Sequence, residues 1–404
     1  LAFVQAHDLS CAWEDLAKLK QSAQLYQRAI DLDPNFALAL ARYSQLESWM
    51  LRTHQASADH REKARSLAER ALQLQPDLPE AHLALGFSYY YGDNNYAAAL
   101  KEFEIAQGGL PNESEVYLAI GAIQRRQGKW AESTANLEKS AGLNPKDTWP
   151  LQNLALNYQM LRNFDAASRT VDRGLQINPQ ALGLWEIKIK LAIAEKGDFS
   201  VYAQAVEKLK SLPMSDEERL KAVDGEANLL LLQRKYQQLL QLGQQFTDDL
   251  FAAVPGSLAL KYFSIGIAQK GLGDDAAARI AFLKAKDILQ EQVKQKPDDA
   301  DLHVQLAKLL AWLGEKDAAI AEAQRAMDLR PESKDAFEGP PITEQAAQVY
   351  AILGDNARAI ELLDGLLSRP SEVTLQTLKV NPAWDPLRND PGFQALFAKY
   401  AGKV

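Results

Sequence analysis

The stretch SEVYLAIGAIQRRQGKWAESTANLEKSAGLNP, residues 114–145, contains two apolar-patterned segments separated by a glycine and closed by a proline. Apolar residues recur every three or four positions on both sides of Gly128, and this period predicts two amphipathic helices. We expect Gly128 to end the first helix and Pro145 to end the second. The stretch therefore predicts two antiparallel helices joined by a short turn.

The same pattern recurs along the chain. Counted from Ser114 as position 1, small residues fall at positions 8, 20 and 27, and large apolar residues at positions 4, 7, 11, 17 and 24. Four of the eight intervals between the prolines at the closing position are 34 residues and a fifth is 35; these prolines are Pro34, Pro76, Pro111, Pro145, Pro179, Pro213, Pro297, Pro331 and Pro370. Because several positions repeat in phase, the chain is predicted to be a stacked array of helical hairpins.

This pattern resembles the tetratricopeptide repeat (TPR) over nearly the whole chain. The resemblance implies an all-α, right-handed superhelical solenoid of about ten TPR-like hairpins with a C-terminal cap. We expect an N-terminal array at residues 1–247, a second array at residues 248–370 and a capping segment at residues 371–404. The Pro- and Gly-containing residues 246–257 are expected to form a flexible joint between the arrays.

Two further segments resemble a particular bacterial group. VNPAWDPLRNDPGFQALF at residues 380–397 and KDAFEGP at residues 334–340 are similar to the C-terminal TPR regions of signalling proteins. Those proteins carry winged-helix regulators, adenylate cyclases or serine/threonine kinases in their N-terminal parts, and this chain contains none of these domains. The resemblance implies the sensor or interaction region of such a protein. Since the first residue is Leu1, we expect a fragment or a processed form.

The C-terminal segment departs from the repeat, and Pro386 and Pro391 interrupt any long helix there. We expect its large apolar residues to fold back onto the last hairpin, at residues 341–367, because terminal repeats need a different outer face. These residues are Trp384, Leu387, Phe393 and Leu396.

The composition and net charge of the chain argue against some classes of partner. The 404 residues are 47% hydrophobic and carry a net charge of −8, which argues against a nucleic acid as the main partner. No apolar stretch is long enough to span a membrane. Cys11 is the only cysteine, so an internal disulfide is excluded, while the compartment stays open.

Motifs for catalysis or cofactors are not found in the sequence. It has no Gly-rich phosphate loop and no paired-histidine zinc motif, so we expect no cofactor, no metal and no enzymatic activity. His54 and His60 share a polar segment, residues 52–63, with Asp59 and Glu62. That segment could hold a divalent ion or be a solvated loop, and the six-residue separation of the histidines favours the loop.

The concave face, lined by the first helix of each hairpin, is the predicted binding surface. Aromatic residues and arginine are favoured in such interfaces. We expect a protein or peptide partner to bind these residues: Trp49, Phe87, Tyr90, Tyr91, Arg125, Arg126, Trp149, Gln152, Gln159, Lys308 and Trp312.

Arg125 and Arg126, beside Gln152 and Gln159, could bind a carboxylate or an extended backbone. In the alternative interpretation the aromatic rings pack on neighbouring helices and the arginines pair with acids such as Glu115. The sequence thus predicts a partner-binding scaffold in a signalling protein. A free-standing assembly scaffold or co-chaperone is the alternative, and an enzyme with its site in the groove is least favoured.

Overall fold

The computed structural model describes residues 1–10, 16–53, 58–211, 216–252, 254 and 256–402. Regular structure in these residues is helical throughout, which confirms the all-α prediction. The chain forms two compact units. The first comprises Leu1–Arg125 and Lys129–Pro150, and the second comprises Arg126–Gly128 and Leu151–Val404.

The first unit is built from four consecutive helical hairpins, each of two helices joined by a short turn. A π-helical turn, Ser88–Gly92, follows the fifth helix. The helices are α1 Ala2–Ser10, α2 Leu16–Leu32, α3 Ala37–Thr53, α4 Ala58–Leu74, α5 Pro79–Phe87, α6 Tyr96–Gly109, α7 Ser114–Arg126 and α8 Trp130–Leu143.

The second unit continues with six hairpins and a C-terminal segment, and the first three residues of its first helix, 148–150, belong to the first unit. Its helices are α9 Thr148–Met160, α10 Phe164–Ile177, α11 Leu182–Lys196, α12 Phe199–Lys210, α13 Asp216–Leu232, α14 Tyr236–Gln245, α15 Asp248–Ala252, α16 Ser257–Gly271, α17 Asp275–Gln295, α18 Ala300–Leu313, α19 Lys316–Leu329, α20 Gly339–Ile352, α21 Asn356–Leu367, α22 Leu375–Val380 and α23 Pro391–Tyr400. A 3-10 helix, Pro382–Leu387, precedes α23. With the first unit this gives ten hairpins in the described residues, as predicted.

The predicted small residues allow the two helices of a hairpin to approach closely. At Gly121 in α7, an added Cβ would lie 2.9 Å from Leu137 Cγ of α8. Ser133, the small residue at position 20, donates its hydroxyl to the Gly121 carbonyl at 2.7 Å. Close packing in the hairpin therefore depends on the absence of a side chain at position 8.

The closing prolines have a role beyond ending a helix. In four hairpins the residue at position 4 donates a hydrogen bond to the carbonyl of the proline six residues earlier, at 2.9–3.1 Å. The donors are His82 to Pro76, Tyr117 to Pro111, Trp185 to Pro179 and His303 to Pro297. Each such bond fixes the start of one hairpin on the end of the previous one, and His82 and His303 therefore serve in packing.

Replacing Gly86 by alanine tests the packing at position 8. A Cβ at Gly86 would lie 2.4 Å from Phe103 Cε1, and Phe103 is fully buried. We expect Gly86→Ala to lower the free energy of unfolding by about 1–3 kcal/mol in urea titrations, because the core is overpacked. Gly142→Ala is the matched control, since a Cβ there meets nothing within 4 Å. If both variants unfold at the same urea concentration, the packing account is wrong.

The C-terminal segment caps the last hairpin, as predicted. Trp384, Leu387 and Phe393 are at most 1% exposed and Leu396 is 4% exposed. They form one apolar cluster with residues of α20 and α21, including Tyr350, Leu363 and Leu366. The exposed end of the array is therefore covered by the chain's own tail.

One sequence expectation is wrong, and another stays a prediction. The predicted polar segment at residues 52–63 is largely helical, because α3 continues to Thr53 and α4 begins at Ala58. The residues added to this repeat lengthen its helices to 17 residues each. Residues on both sides of position 247 belong to the second unit. The boundaries after residues 247 and 370, and the flexible joint at 246–257, stay predictions about independent motion.

Candidate partner-binding site

Five of the predicted binding residues meet in the first unit, and we refer to them as the aromatic cleft: Trp49, Phe87, Tyr90, Tyr91 and Trp149. The Trp49 ring lies 5.9 Å from the rings of Phe87 and Tyr91 and 6.3 Å from that of Trp149. Tyr91 stacks on Phe87 at 5.6 Å and on Tyr90 at 4.5 Å. Residues from three hairpins thus form one continuous aromatic surface.

Two neighbouring tyrosines of this surface, Tyr90 and Tyr91, lie in the π-helical turn. The turn Ser88–Gly92 adds a residue to the end of α5, and Tyr89 accepts a backbone hydrogen bond from Asn95 at 3.0 Å. π-helical turns inside helices are rare and are often found at functional sites. The sequence predicted Tyr90 and Tyr91 as binding residues, but it gave no sign of the altered helical pitch.

Arg52, which the sequence prediction did not include, completes the cleft. Its guanidinium carbon lies 4.5 Å from the centroid of the Trp149 ring and within 6 Å of those of Tyr91 and Trp49. Such cation–π contacts attract the guanidinium to the ring faces. Phe87 and Tyr90 are buried, whereas Trp49, Tyr91 and Trp149 are partly exposed and can contact a partner. Arg52 was missed because residues 52–63 were predicted to be a loop.

A carboxylate lies beside the aromatic rings. Glu115 accepts hydrogen bonds from Gln45 Nε2, at 2.6 Å, and from the Trp49 side chain. Burial raises the pKa of Glu115 above its ordinary value, and the nearby Arg42 opposes that rise. These residues line a cavity of about 390 Å³ that also includes Trp149, Glu113 and Asp147.

The other predicted residues have separate environments. Arg125 and Gln159 are buried, at 4% and 2% exposure. The Gln152 amide packs against Gly183. Trp312 stacks on Phe282 at 5.9 Å, and the Lys308 ammonium lies 5.6 Å from the centroid of Phe263. Arg126 contacts carboxylates of this chain, Asp335 at 2.6 Å and Glu338 at 3.1 Å. Partner binding by these six residues stays a prediction.

The segment at residues 52–63 gives no support for a metal site. His54 and Cys11 lie outside the described residues. His60 Nδ1 contacts the carboxylate of Glu47. Within the described residues, no group of three or more His, Cys, Asp or Glu side chains is placed to hold a metal ion. Among the helices that the structure describes, none combines the length and apolarity needed to cross a membrane.

The second unit contains a group of charged residues whose ionisation is altered. Burial lowers the pKa of Lys308 to about 8 and raises that of Glu344 to about 7. The carboxylate of Glu372 raises the pKa of Glu344 further, while Lys190 and Lys308 partly offset the rise. Glu372 pairs with Lys190 at 3.0 Å and raises the pKa of that lysine.

The raised pKa of Glu344 predicts that the stability of the folded protein depends on pH. Its pKa is about 7 in the folded protein against 4.5 ordinarily, so between these pH values the folded state binds more protons than the unfolded chain. The free energy of unfolding should therefore fall as pH rises from about 4.5 to 7. The side chain of Glu344→Gln cannot titrate. The free energy of unfolding of this variant, relative to that of the wild type, should therefore rise as pH increases from about 4.5 to 7. Urea titrations at several pH values measure both proteins, and parallel curves would contradict the assignment.

No protein-family model matches the chain. The curated cellulose synthase operon protein C of Pseudomonas fluorescens SBW25 is 23% identical over 357 residues, covering 78% of this chain and 27% of that protein. The chain therefore spans about a quarter of that relative's length.

Two solved structures are similar to the chain. A tetratricopeptide repeat protein from Parabacteroides merdae is 19% identical, with 66% of this chain and 98% of that one covered and a TM-score of 0.45. The human IFIT1 dimer with PPP-AAAA is 14% identical, with 78% and 70% covered and a TM-score of 0.47.

The hairpins, their small-residue seams and their closing prolines define the class of the protein. It is a helical-repeat array of the tetratricopeptide type, as the sequence pattern predicted. Arrays of this type present extended surfaces to partners and act in general as protein-interaction scaffolds.

Proposed function

We propose that the protein binds a segment of a partner protein in the aromatic cleft of its first unit. The observation that carries this proposal is the convergence of five aromatic side chains and Arg52 beside the half-buried carboxylate of Glu115. Tyrosine, tryptophan and arginine are enriched among the few residues that carry most of the binding energy of protein interfaces. The proposed role is binding rather than catalysis.

The charges around the cleft indicate the chemistry of the partner. The cavity is lined by the carboxylates of Glu113, Glu115 and Asp147. Arg42 and His7 also line it. Burial and the nearby Arg42 lower the pKa of His7, so it adds little positive charge at neutral pH. We therefore expect a partner segment with a basic side chain next to an apolar one. With a net charge of −8, a nucleic-acid partner stays disfavoured.

We infer the biological context from the resemblance of two C-terminal segments. Residues 334–340 and 380–397 are similar to TPR regions of bacterial signalling proteins, which supports a sensor or interaction region of such a protein. The alternative is a scaffold for the assembly of other proteins. That alternative is favoured by the likeness to a protein named for a cellulose synthase operon.

Affinity capture with matched variants tests the proposal. The immobilised chain is exposed to a bacterial lysate, and captured proteins are quantified by mass spectrometry for the wild type, Trp149→Ala and Trp185→Ala. Trp185 is the control, because it is a half-buried tryptophan of the second unit that donates to the Pro179 carbonyl. We expect Trp149→Ala to lose the partner that the wild type and Trp185→Ala retain.

A partner that all three proteins capture equally would contradict binding at the cleft. The captured protein also separates the two contexts. A kinase, cyclase or transcription component supports the signalling role, whereas several components of one envelope assembly support the assembly scaffold.

A further inference from the structure

The second unit contains a cavity at the place where the repeat spacing is interrupted. The longest interval between neighbouring closing prolines runs from Pro213 to Pro297, and the additional short helix α15, Asp248–Ala252, lies within it. The cavity has a volume of about 450 Å³ and is lined by residues of α11 to α16. We refer to it as the second-unit cavity.

The cavity results from uneven packing between two hairpins. The second helix of one hairpin, α14, lies close to α16, since an added Cβ at Gly243 would be 2.7 Å from Ile265 Cγ1. The first helix of that hairpin, α13, contacts α16 at only a few residues, whereas the first helices α3 and α5 of the first unit pack along each other. The space between α13 and α16 is therefore left open on the side of the first helices.

The wall of the second-unit cavity is mostly apolar. Side chains from five helices contribute to it, and all but one of those named here are at most 8% exposed, with Leu260 at 39%: Ile189, Leu220, Leu239, Leu242, Phe251 and Leu260. Cavities of this size that combine apolar walls with a few polar groups are typical binding sites for small molecules.

Two carboxylates face this apolar space. Glu186 of α11 and Asp224 of α13 both line the cavity. Among the described residues, neither carboxylate makes a hydrogen bond or an ion pair. Asp224 is exposed to solvent, yet the surrounding protein raises its pKa above the ordinary value, and the negative charge of Glu186 raises it further. A bound cation would stabilise the ionised form of both groups.

The lysines that line the cavity are already engaged. The Lys261 ammonium is buried and donates to Asp248 and to the Phe246 carbonyl, both at 2.7 Å. The Lys190 ammonium lies 3.0 Å from the Glu372 carboxylate. The two unpaired carboxylates therefore give the cavity an excess of negative charge, which is complementary to a positively charged ligand.

Further hydrogen-bond acceptors lie on the wall. Ser257 and Ser264 are on the same face of α16, and among the described residues their hydroxyls make no hydrogen bond. Asn228 Nδ2 donates to the Tyr202 hydroxyl at 3.1 Å, which leaves the amide oxygen of Asn228 to accept a hydrogen bond. An ammonium group has three donors and no acceptor, so these groups suit it.

We propose that the second-unit cavity binds a small organic molecule in which a primary ammonium group is attached to a compact apolar body. The ammonium lies at Glu186 and Asp224, and the apolar body lies against the leucines and Phe251. A lysine side chain of a peptide is disfavoured, because the peptide groups beside it would be placed against apolar walls. The site lies in the second unit and is separate from the aromatic cleft, so the two proposals can fail independently.

Isothermal titration calorimetry of the full chain with model compounds tests the proposal. The probe is cyclohexylmethylamine, cyclohexylmethanol is its neutral match, and methylamine has the ammonium without the ring. We expect the probe to bind saturably and at least about tenfold more tightly than either of the others, because both charge and apolar burial contribute. Lysine with both backbone ends blocked should bind more weakly than the probe, and added salt should weaken probe binding.

Variants of the cavity locate the binding site. Asp224→Asn should weaken probe binding about tenfold or more, because the charge of one carboxylate is lost. Ser264→Leu places an isobutyl group in the cavity and should also prevent binding. Glu226→Gln is the matched control, since Glu226 is on the same helix but pairs with Lys210 at 3.0 Å and does not line the cavity. This control should bind the probe as the wild type does.

The aromatic cleft of the first unit is the competing location for an amine. Trp49→Ala should leave probe binding within about twofold of the wild type if the second-unit cavity is the site. Loss of binding in Trp49→Ala but not in Asp224→Asn would overturn the proposal. So would the absence of saturable binding, equal binding of cyclohexylmethanol, tighter binding of the blocked lysine, or unchanged binding by Asp224→Asn or Ser264→Leu.

Discussion

Trp384→Ala is expected to lower the free energy of unfolding by about 3–5 kcal/mol, the usual cost of removing a large buried ring. Trp384 is 0% exposed and packs among residues of the last hairpin and the tail. Because repeat arrays are stabilised by contacts between neighbours, the loss should be confined to the C-terminal hairpins. Urea titration measures the free energy, and amide exchange at residues 335–400 shows where it is lost.

Trp384→Phe is the control for this prediction. The indole N–H of Trp384 has no hydrogen-bond partner among the described residues, so phenylalanine removes an unsatisfied donor while it retains most of the ring. We expect the phenylalanine variant to stay much closer to the wild type than the alanine variant. Equal losses for both, or exchange that rises evenly along the chain, would contradict a local apolar cap.

Trp49→Ala is expected to weaken partner binding by about 30-fold, which corresponds to roughly 2 kcal/mol for a hot-spot residue. The Trp49 ring contacts Phe87, Tyr91 and Trp149, and its side chain hydrogen-bonds to Glu115. Its removal therefore disrupts both the aromatic surface and the position of the carboxylate. Isothermal titration calorimetry with the captured partner measures the change in affinity.

Trp312→Ala serves as the control for the loss of a tryptophan. Trp312 is also a partly exposed tryptophan of a first helix, but it stacks on Phe282 in the second unit. We expect its replacement to leave the affinity within about twofold, since residues outside a hot spot cost little. Similar losses for Trp49→Ala and Trp312→Ala would indicate that binding is not centred on the aromatic cleft.

The hairpin array could be predicted from the sequence because each repeat is specified locally. Gly121 at position 8 and Pro145 at position 32 act within one hairpin and on its nearest neighbour. The hydrogen bond from Tyr117 to the Pro111 carbonyl shows how short-range these determinants are. The helical extension into residues 52–63 was not predicted, because a polar composition describes an exposed helix as well as a loop.

The candidate site could be predicted only in part, because a repeat pattern specifies contacts between neighbouring repeats and not contacts between distant segments. Trp49 and Tyr91 occupy the same position, 13, in successive repeats, and Phe87 lies one helical turn before Tyr91, so their convergence follows from the repeat register. Arg126 and Asp335 are 209 residues apart, and no repeat position relates them. Contacts of this range join segments that lie far apart in the chain, and a periodic pattern does not specify them.

The most direct test of the central claim is amide exchange of the full chain with and without its captured partner. Binding at the aromatic cleft predicts protection at residues 42–52, 87–92, 113–118 and 147–150, which carry the cleft and its cavity. The Trp49→Ala protein at the same partner concentration should show little of this protection. If partner binding leaves the amide exchange of these four segments unchanged, the claim that this protein binds its partner through the aromatic cleft is wrong, even where other segments become protected.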